Sequence, residues 1–451
     1  MRFASSWDMI CHWATRTPLA VALMGEDVAS REQALTWAEL HDAVQKRSDA
    51  LASSGKTCEA IIADATLDCV VEILAAMHGG LQVAMLDQSI PHERLEALLG
   101  YVDADAVWDA PHALRSLGSS RDGGVTNGAG RVLFFTSGTT SRSKAVTLTD
   151  ASLMASAYNG SSLLPLDPSC KLLCMLPLSH VFGFVCGLLW GLSCGATVAV
   201  GRGARHYLDD CAHFKPTAIS VVPTLLKFLM AHELLNPELD LVLVGAGDCP
   251  DEVLQAVRSS GRRVAFGYGL TETSSGVALG CGEDPRAMTV CPDFEVRIEE
   301  DDEVCVSSPP CMMVGYYGMP EDTARVLVDG VLHTGDLGVL DERGRLRITG
   351  RKKEMLVLSN GTKIFLPEYE SDLAEALGTP EVVVTLVRDR LTLVVGNAGL
   401  DREEALRRIA PVMSQLPRGS QVAHVMVLDH ELPRTATGKV KRWEIDAEVL
   451  S

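Results

Sequence analysis

The stretch Phe135-Thr-Ser-Gly-Thr-Thr-Ser-Arg-Ser-Lys144 is rich in hydroxyl residues and directly follows an apolar strand candidate, Val132 to Phe135. Its glycine permits unusual backbone dihedrals, so successive N–H groups can converge on an anion while the hydroxyls and the lysine supply further donors. The stretch is not a P-loop of the GxxxxGK[ST] type. A solvated Ser/Thr turn has a similar composition, so these residues alone leave phosphate binding and a plain turn both open.

On both sides of this stretch, short apolar strands alternate with helices. Helices are predicted at 34–51, 69–78, 224–231 and 369–377, and strands at 60–63, 82–85, 218–222, 239–244, 295–298, 303–306, 382–387 and 391–395. Such alternation indicates parallel sheets that are covered by helices on both faces. We therefore expect an α/β protein whose large N-terminal domain of parallel-rich sheets layered with helices spans residues 1–352. This N-terminal domain includes a β subdomain at about 283–345. A small α+β C-terminal domain, residues 353–451, follows the N-terminal domain.

Composition narrows the class of protein. The 451 residues carry 40 basic and 59 acidic side chains, a formal net charge of −19, which disfavours nucleic acid as a partner. The 13 cysteines form no CxxC pair, so we expect reduced, buried thiols. The N-terminus shows no secretory signal, which favours a cytoplasmic protein. The uncharged stretch 182–201 is rich in glycine and is predicted to be a buried helix, a turn and a strand, with no transmembrane segment.

Two glycine-rich turns are further candidates for ligand contacts. Gly245-Ala246-Gly247 follows the strand that ends at Val244, and ligands of open α/β sheets lie at the carboxyl ends of strands. The stretch Gly267-Tyr-Gly-Leu-Thr-Glu-Thr273 would let the backbone approach a planar ligand, with Thr271 donating to a phosphate and Glu272 holding Mg²⁺. Alone, the second stretch is a glycine-rich turn with one acid.

Two later stretches combine charge with a turn. Thr334-Gly335-Asp336 is followed by six cationic residues within eleven positions, Arg343, Arg345, Arg347, Arg351, Lys352 and Lys353, although Arg345 and Arg347 alternate with apolar residues as on a solvated strand face. Near the C-terminus, Pro433-Arg-Thr-Ala-Thr-Gly-Lys-Val-Lys-Arg442 places Lys439 behind a glycine, where it could reach a polyanion.

In combination and in this order, these motifs resemble the adenylate-forming (AMP-binding) superfamily, of the acyl- and aryl-CoA synthetase type. Thr136 to Lys144 is similar to the TSGTTGxPKG phosphate loop, Tyr268 to Glu272 to YGxTE, and Thr334 to Asp336 to TGD. Gly350-Arg351 with Gly361, Glu368 and Glu370 is similar to GRxK…G…ExE, and Pro433 to Lys439 to PxTxxGK. The resemblance covers essentially the whole chain.

The resemblance implies a ligase in which a carboxylate attacks Mg·ATP to give an acyl-adenylate, after which the thiol of CoA displaces AMP. It implies that ATP contacts Thr136, Ser137, Gly138, Thr139, Thr140, Lys144, Gly245, Ala246, Gly247, Tyr268, Gly269, Asp336 and Arg351. Thr271, Glu272 and Lys439 would be catalytic, with Glu272 also holding Mg²⁺. Lys353 would be the hinge of a mobile C-terminal domain.

The sequence motifs constrain the carboxylic acid substrate and the thiol acceptor less than they constrain the reaction. In the segment Leu176 to Gly183 the chain has His180 and lacks the aspartate of amino-acid-activating members, and with Phe182, Gly183, Val222 and Gly276 as pocket lining this favours an apolar fatty or aryl acid. His180 could be a satisfied pocket-wall residue, or it could gate the carboxylate site. The acyl group could instead pass to a carrier-protein pantetheine. Because Ser141, Ser143 and Ala145 depart from the family's phosphate loop, a non-catalytic nucleotide or acyl sensor is a third reading.

Overall fold

The molecule is described by a computed structural model. The residues it describes are 1–26, 33–109, 112–116, 130–136, 144–352, 355–357, 363–387, 390–397, 399–416, 421–434, 440–442 and 444–445. Within them the chain forms two compact units. The larger unit contains the described residues up to 334 and residues 339–348, and the smaller contains 335–338 and the described residues from 349 onward.

The strands are numbered in chain order. They are β1 (Val21–Gly25), β2 (Gln33–Thr36), β3 (Cys58–Ala63), β4 (Gln82–Asp87), β5 (Ala106–Asp109), β6 (His112–Ser116), β7 (Arg131–Thr136), β8 (Lys144–Thr149), β9 (Lys171–Cys174), β10 (Thr197–Val200), β11 (Ala218–Val221), β12 (Leu241–Val244), β13 (Arg263–Leu270), β14 (Ser275–Gly280), β15 (Met288–Val290), β16 (Glu295–Ile298), β17 (Glu303–Ser307), β18 (Gly315–Tyr316), β19 (Leu327–Val328), β20 (Val331–Leu340), β21 (Arg345–Arg351), β22 (Met355–Val357), β23 (Lys363–Phe365), β24 (Val382–Val387), β25 (Arg390–Val395) and β26 (His424–Val427).

The α-helices are numbered in the same way. They are α1 (Ser6–Arg16), α2 (Trp37–Ser53), α3 (Leu67–His78), α4 (His92–Tyr101), α5 (Asp150–Leu163), α6 (Trp190–Ser193), α7 (Tyr207–Phe214), α8 (Pro223–Ala231), α9 (Asp251–Ser259), α10 (Pro320–Val326), α11 (Leu366–Leu377) and α12 (Arg402–Gln415). A π-helix, Gly183–Leu189, precedes α6, and two 3₁₀ turns lie at Ala204–His206 and Thr271–Thr273.

Two large sheets carry most of the strands. A 14-stranded sheet has the order β16-β17-β20-β21-β15-β14-β13-β12-β11-β9-β10-β1-β2, with β19 paired to β20, and its run from β13 to β1 is parallel. A seven-stranded sheet has the order β18-β8-β7-β4-β3-β5-β6. The smaller unit contains a two-stranded sheet, β22-β23, and a three-stranded sheet, β24-β25-β26. The predicted α/β class with parallel-rich sheets is confirmed.

Most predicted elements form close to their predicted bounds, and one begins later. The helix predicted at 34–51 starts at Trp37, because the Thr36 side chain accepts from the Glu39 amide and the Glu39 carboxylate accepts from the Thr36 amide, a capping box that fixes the first turn. Ala34 and Leu35 instead belong to β2, which pairs with β1. The stretch 182–201 forms the π-helix, α6 and β10, as predicted. In the described part of the chain, no helix has both the length and the apolar character needed to cross a membrane.

The core of the larger unit is apolar and extends between its sheets and helices. Trp37, Phe134 and Phe184 are among its largest fully buried side chains. The smaller unit has its own apolar cluster, in which Leu373 and Leu393 are completely buried. All 13 cysteines lie in the described residues and none is in a disulfide; eight are buried as predicted, four are half-buried and Cys281 is exposed.

The acid Glu59 lies in this core, and burying its charged form would cost free energy. Glu59 on β3 is completely buried beside Glu72 of α3, whose carboxylate accepts from the Arg47 guanidinium at 2.6 Å. Burial, together with the neighbouring Glu72 carboxylate, raises the pKa of Glu59 to about 10. The unfolded chain loses this proton near the ordinary value of about 4.3, whereas the folded chain keeps it. The contribution of Glu59 to stability therefore falls as the pH rises from about 5 towards 10.

We expect Glu59→Gln to stabilise the protein at alkaline pH, because the amide keeps the shape of the carboxyl and is neutral in both states. Its melting temperature should exceed that of the wild type by a few degrees at pH 8, and the difference should shrink towards pH 5. Thermal unfolding at several pH values measures this. The exposed Glu96→Gln is the control. An equal difference at pH 5 and pH 8 would contradict the protonated state of Glu59.

Candidate active site

Two neighbouring parallel strands, β11 and β12, end side by side, next to β13, which continues to Leu270. Val221 of β11 is in register with Val244 of β12, and Val244 is in register with Phe266 of β13. Val222 and the Gly245 to Gly247 turn therefore follow the strand ends beside Gly267 of β13. Crevices at the carboxyl ends of parallel strands are where open α/β sheets bind ligands.

The glycine turn after β12 is packed closely against an aromatic ring. A Cβ atom at Gly245 would lie 2.9 Å from the ring of Phe182, a contact that real side chains do not tolerate. The next residue, Ala246, has φ of 61°, in the left-handed region that non-glycine residues seldom adopt. Gly247 is exposed. The turn therefore places backbone without large side chains next to an aromatic ring. A planar ligand ring could pack closely against such a surface.

The turn after β13 places an acid at the same end of the sheet. A bulge separates Tyr268 from Gly269, and a Cβ at Gly269 would lie 1.8 Å from the Ser275 carbonyl oxygen, so this hairpin needs glycine. Thr271 and Glu272 lie on the 3₁₀ turn that follows and are half-buried. Ser275, immediately beyond, has φ of 111°. Strained backbone of this kind is found preferentially at functional sites.

The hydroxyl-rich stretch connects two paired strands. Thr136 ends β7 and lies opposite Lys144, which begins β8, and the Thr136 hydroxyl donates to the Lys144 carbonyl oxygen at 3.3 Å. The two ends of the predicted phosphate loop are therefore held together by the sheet. The loop residues Ser137, Gly138, Thr139 and Thr140 lie outside the described residues.

A tyrosine that the sequence analysis missed connects Lys144 with Glu272. Tyr316 lies on β18, which pairs with β8, and its hydroxyl donates to Glu272 Oε1 at 2.8 Å. Lys144 Nζ lies 4.5 Å from the centre of the Tyr316 ring and 3.3 Å from the carboxylate of Asp322. Burial and the Glu272 carboxylate raise the pKa of the Tyr316 phenol, which therefore remains a hydrogen-bond donor. Tyr316 positions both the predicted phosphate ligand and the predicted magnesium ligand.

Tyr316→Phe is expected to raise the KM for Mg·ATP about tenfold, because a hydrogen bond to a charged group is worth roughly 1.5–3 kcal/mol. The ring and its contact with Lys144 remain in this variant. Tyr317→Phe is the matched control, since Tyr317 is the adjacent residue and its buried ring packs against Tyr101 in a separate apolar cluster. Steady-state kinetics with varied Mg·ATP test the prediction, and equal effects of the two substitutions would contradict it.

The predicted acid-pocket residues occupy different environments. His180 is exposed, Phe182 and Val222 are half-buried, and a Cβ at Gly276 would meet nothing within 4 Å, so Gly276 faces open space. Gly183 is buried, and a Cβ there would lie 2.3 Å from the Pro177 carbonyl oxygen. The glycine at 183 is therefore required by packing at the start of the π-helix, a type of helix that is frequent at functional sites.

A polar contact beside Gly276 is not indicated by any sequence motif. The thiol of Cys186, on the π-helix, lies 3.5 Å from the Ser275 hydroxyl, and the Ser220 hydroxyl donates to the Cys186 carbonyl oxygen at 2.8 Å. Burial raises the pKa of Cys186 to about 11, so this thiol stays protonated and is a poor nucleophile.

In the smaller unit, Asp336 and Arg351 form an ion pair. Arg351 Nε lies 2.7 Å from Asp336 Oδ1, and the Asp336 side chain is only 2% exposed. In the larger unit, Arg345 and Arg347 pair with Asp341 and Asp284, so these two strand arginines lie on a solvated face and have carboxylate partners. Lys353 and Lys439 lie outside the described residues.

The glycine turns at the carboxyl ends of the parallel strands, with an acid beside them, have the placement that ligand sites have in open α/β sheets. The model of one family, described as AMP-binding enzyme, matches residues 10–317. This chain belongs to that family, which confirms the resemblance seen in the sequence.

The relatives agree with this assignment. A 3-(7a-methyl-1,5-dioxo-octahydro-1H-inden-4-yl)propanoyl:CoA ligase of Mycobacterium tuberculosis is 31% identical over 338 residues, which are 69% of this chain and 65% of that protein, just under two thirds of its length. A 2-succinylbenzoate–CoA ligase of Bacillus subtilis is 27% identical over 96% of both chains. The structure of o-succinylbenzoate CoA synthetase from Bacillus subtilis, in complex with an acyl-adenylate, has a TM-score of 0.80 at 23% identity and covers 98% of both chains. That likeness shows the fold.

Proposed function

We propose that this chain is an AMP-forming acid:CoA ligase that adenylates an apolar carboxylic acid, fatty or aryl, with Mg·ATP and transfers the acyl group to CoA. The observation that supports this most directly is the contact chain from Lys144 through Tyr316 to Glu272. It links Lys144, at the end of the predicted phosphate loop, with Glu272, which lies beside the glycine turns. The named relatives are CoA ligases, which supports the same reaction class.

In the first half-reaction, a carboxylate oxygen of the acid attacks the α-phosphorus of ATP, and the bond to pyrophosphate breaks. The Thr136 to Thr140 loop and Lys144 would hold the phosphates. Adenine would lie among the Gly245 to Gly247 turn, Tyr268 and Gly269, where the backbone is accessible because side chains are absent or held aside. Thr271 would donate to the α-phosphate.

Glu272 would hold the Mg²⁺ ion, which supplies positive charge to the phosphates when it is bound. The donor chemistry fits, because Mg²⁺ prefers carboxylate oxygens, and among the described residues the hydrogen bond from Tyr316 goes to Oε1, so that Oε2 could bind the ion. Tyr316 fixes the orientation of this carboxylate.

In the second half-reaction, the CoA sulfur attacks the acyl carbonyl carbon, AMP leaves, and the thiol proton is lost to solvent. Asp336 and Arg351 would bind the ribose, and their mutual ion pair would orient the Asp336 carboxylate towards the hydroxyls. In the first half-reaction, Lys439 would stabilise the negative charge that develops as pyrophosphate leaves. This role is electrostatic. Lys353 would be the hinge between the two conformations.

One departure from the family's phosphate loop has a structural explanation. Ala145 stands where the family has a glycine, and it is completely buried in β8, opposite Phe135. Its carbonyl oxygen accepts from the Tyr317 amide at 2.8 Å. The methyl group therefore fills core space in the larger unit and leaves the hairpin pairing intact. This weakens the argument for a degenerate, non-catalytic sensor.

Acid-dependent pyrophosphate exchange over a panel of acids tests the proposal. The panel contains fatty acids of several lengths, 2-succinylbenzoate, indoleacetate, and the matched pair phenylpropanoate and phenylalanine. Because segment 176–183 has no aspartate to pair with an α-ammonium group, we expect exchange with phenylpropanoate and none with phenylalanine. Exchange with phenylalanine alone would overturn the apolar-acid assignment.

The acceptor is tested separately by adding either CoA or a pantetheine-loaded carrier protein to the acid that supports exchange. CoA should raise the rate of AMP release and give the acyl-CoA. If only the carrier raises it, the enzyme loads a carrier protein. If no acid supports exchange while ATP still binds, the chain is a sensor.

A further inference from the structure

Three side chains of different chemistry meet on one face of the 14-stranded sheet, next to Thr334 on β20. Glu303 and Cys305 are two positions apart on β17, so they project from the same face, and His333 lies on the adjacent strand β20. His333 Nδ1 lies 3.4 Å from Cys305 Sγ and 3.3 Å from Glu303 Oε2. All three donor atoms lie within 4.8 Å of one another.

These distances match a tetrahedral metal centre. With Zn–N and Zn–O bonds near 2.0–2.1 Å and a Zn–S bond near 2.3 Å, the tetrahedral angle separates nitrogen from oxygen by about 3.4 Å and nitrogen from sulfur by about 3.6 Å. The observed separations of 3.3 and 3.4 Å differ from these by about 0.2 Å or less. Both separations that involve His333 therefore suit an ion placed between the three donors.

The surroundings also suit a bound cation. Glu303 and Cys305 are buried, at 7% and 0% exposure, whereas the His333 side chain is 34% exposed and would leave a path for the ion and for one water ligand. The strands that carry the donors are fixed beside the cluster, where the Thr334 hydroxyl donates to the Val304 carbonyl oxygen at 2.6 Å. Donors on rigid strands keep the geometry that a metal requires.

We propose that Glu303, Cys305 and His333 form a binding site for Zn²⁺, with water as the fourth ligand. Thiolate, imidazole and carboxylate together are the donor set that zinc prefers, whereas Mg²⁺ takes oxygen donors. Binding replaces the thiol proton of Cys305, which is released to solvent, and no electron transfer occurs. The site is independent of the proposed ligase reaction.

Co²⁺ is the probe, because its bond to a thiolate gives a charge-transfer absorption that oxygen and nitrogen ligands do not. The full-length protein, freed of metal by a chelator, should develop this absorption with one equivalent of Co²⁺ and lose it when Zn²⁺ is added. Cys305→Ser should abolish the band. Glu303→Gln and His333→Gln should weaken Co²⁺ binding about tenfold or more. The exposed Cys281→Ser is the control and should retain the band.

A second readout separates loss of a ligand from loss of the fold. Zn²⁺ should raise the melting temperature of the wild type and of Cys281→Ser and should leave that of Cys305→Ser unchanged, because a ligand that binds only the folded state stabilises it. If Cys305→Ser does not fold, His333→Gln, altered at the half-exposed position, replaces it, and it should need at least about tenfold more Co²⁺ for the band and show a smaller stabilisation by Zn²⁺. If the wild type shows no thiolate band, or if the band remains in Cys305→Ser, the proposed zinc site is wrong. The three side chains would then be connected only by hydrogen bonds.

Discussion

Lys439→Ala is expected to lower acid-dependent pyrophosphate exchange by about 10²–10³-fold, which is the effect of removing one donor that stabilises transition-state charge. In the proposed reaction this ammonium balances the charge that builds up as the bond to pyrophosphate breaks. The KM for the acid should change little. The measurement is the exchange rate at saturating ATP and acid, in the presence of Mg²⁺.

Two comparisons make this result specific. Lys441→Ala removes a lysine two positions away, whose ammonium pairs with Glu444 at 2.8 Å, and it should behave like the wild type because an exposed ion pair contributes little. Lys439→Ala supplied with a synthetic acyl-adenylate should still form the thioester with CoA. If exchange survives the substitution, Lys439 has no part in adenylation.

Glu272→Gln should reduce exchange on the order of 10²-fold at ordinary Mg²⁺ concentrations, because charge stabilisation by a bound metal ion is worth several kcal/mol. The amide keeps the size of the side chain and can still accept from the Tyr316 hydroxyl, so the local structure should persist. Raising the Mg²⁺ concentration should restore part of the rate, since the substitution weakens metal binding. Exchange rates over a magnesium titration measure both effects.

Glu283→Gln is the matched control, because Glu283 is an exposed acid of the same unit beyond β14. It should leave the magnesium dependence unchanged. A Glu272→Gln enzyme with the magnesium dependence of the wild type would show that another group holds the ion.

The order of strands and helices could be predicted from the sequence because apolar periodicity is a local property. The start of α2 was predicted three residues too early, since the capping box between Thr36 and Glu39 outweighs the apolar spacing of Ala34 and Leu35. The addition of β18 to β8 is a long-range pairing between residues 315–316 and 146–147, and nothing in the local pattern indicates it.

The same limit applies to the candidate site. Glycine turns and hydroxyl runs are short motifs, so Gly245, Tyr268 and Lys144 could be proposed as site residues from the sequence. Tyr316 and Asp322 were not found, because their role depends on contact with residues far away in the chain. The cationic run at 343–353 predicted a local positive charge, and its strand arginines instead pair with Asp341 and Asp284, partners that only the fold brings near.

The pairing of Lys144 with Asp322 has a consequence for how the nucleotide would arrive. A phosphate that binds Lys144 must displace a carboxylate, so binding is an exchange of one anion for another. Dissolved salt screens the attraction of the lysine for the phosphate and for the carboxylate alike. In the proposed function, the affinity for Mg·ATP should therefore depend only weakly on ionic strength, and in a chain of net charge −19 the nucleotide would be recognised at short range without long-range attraction.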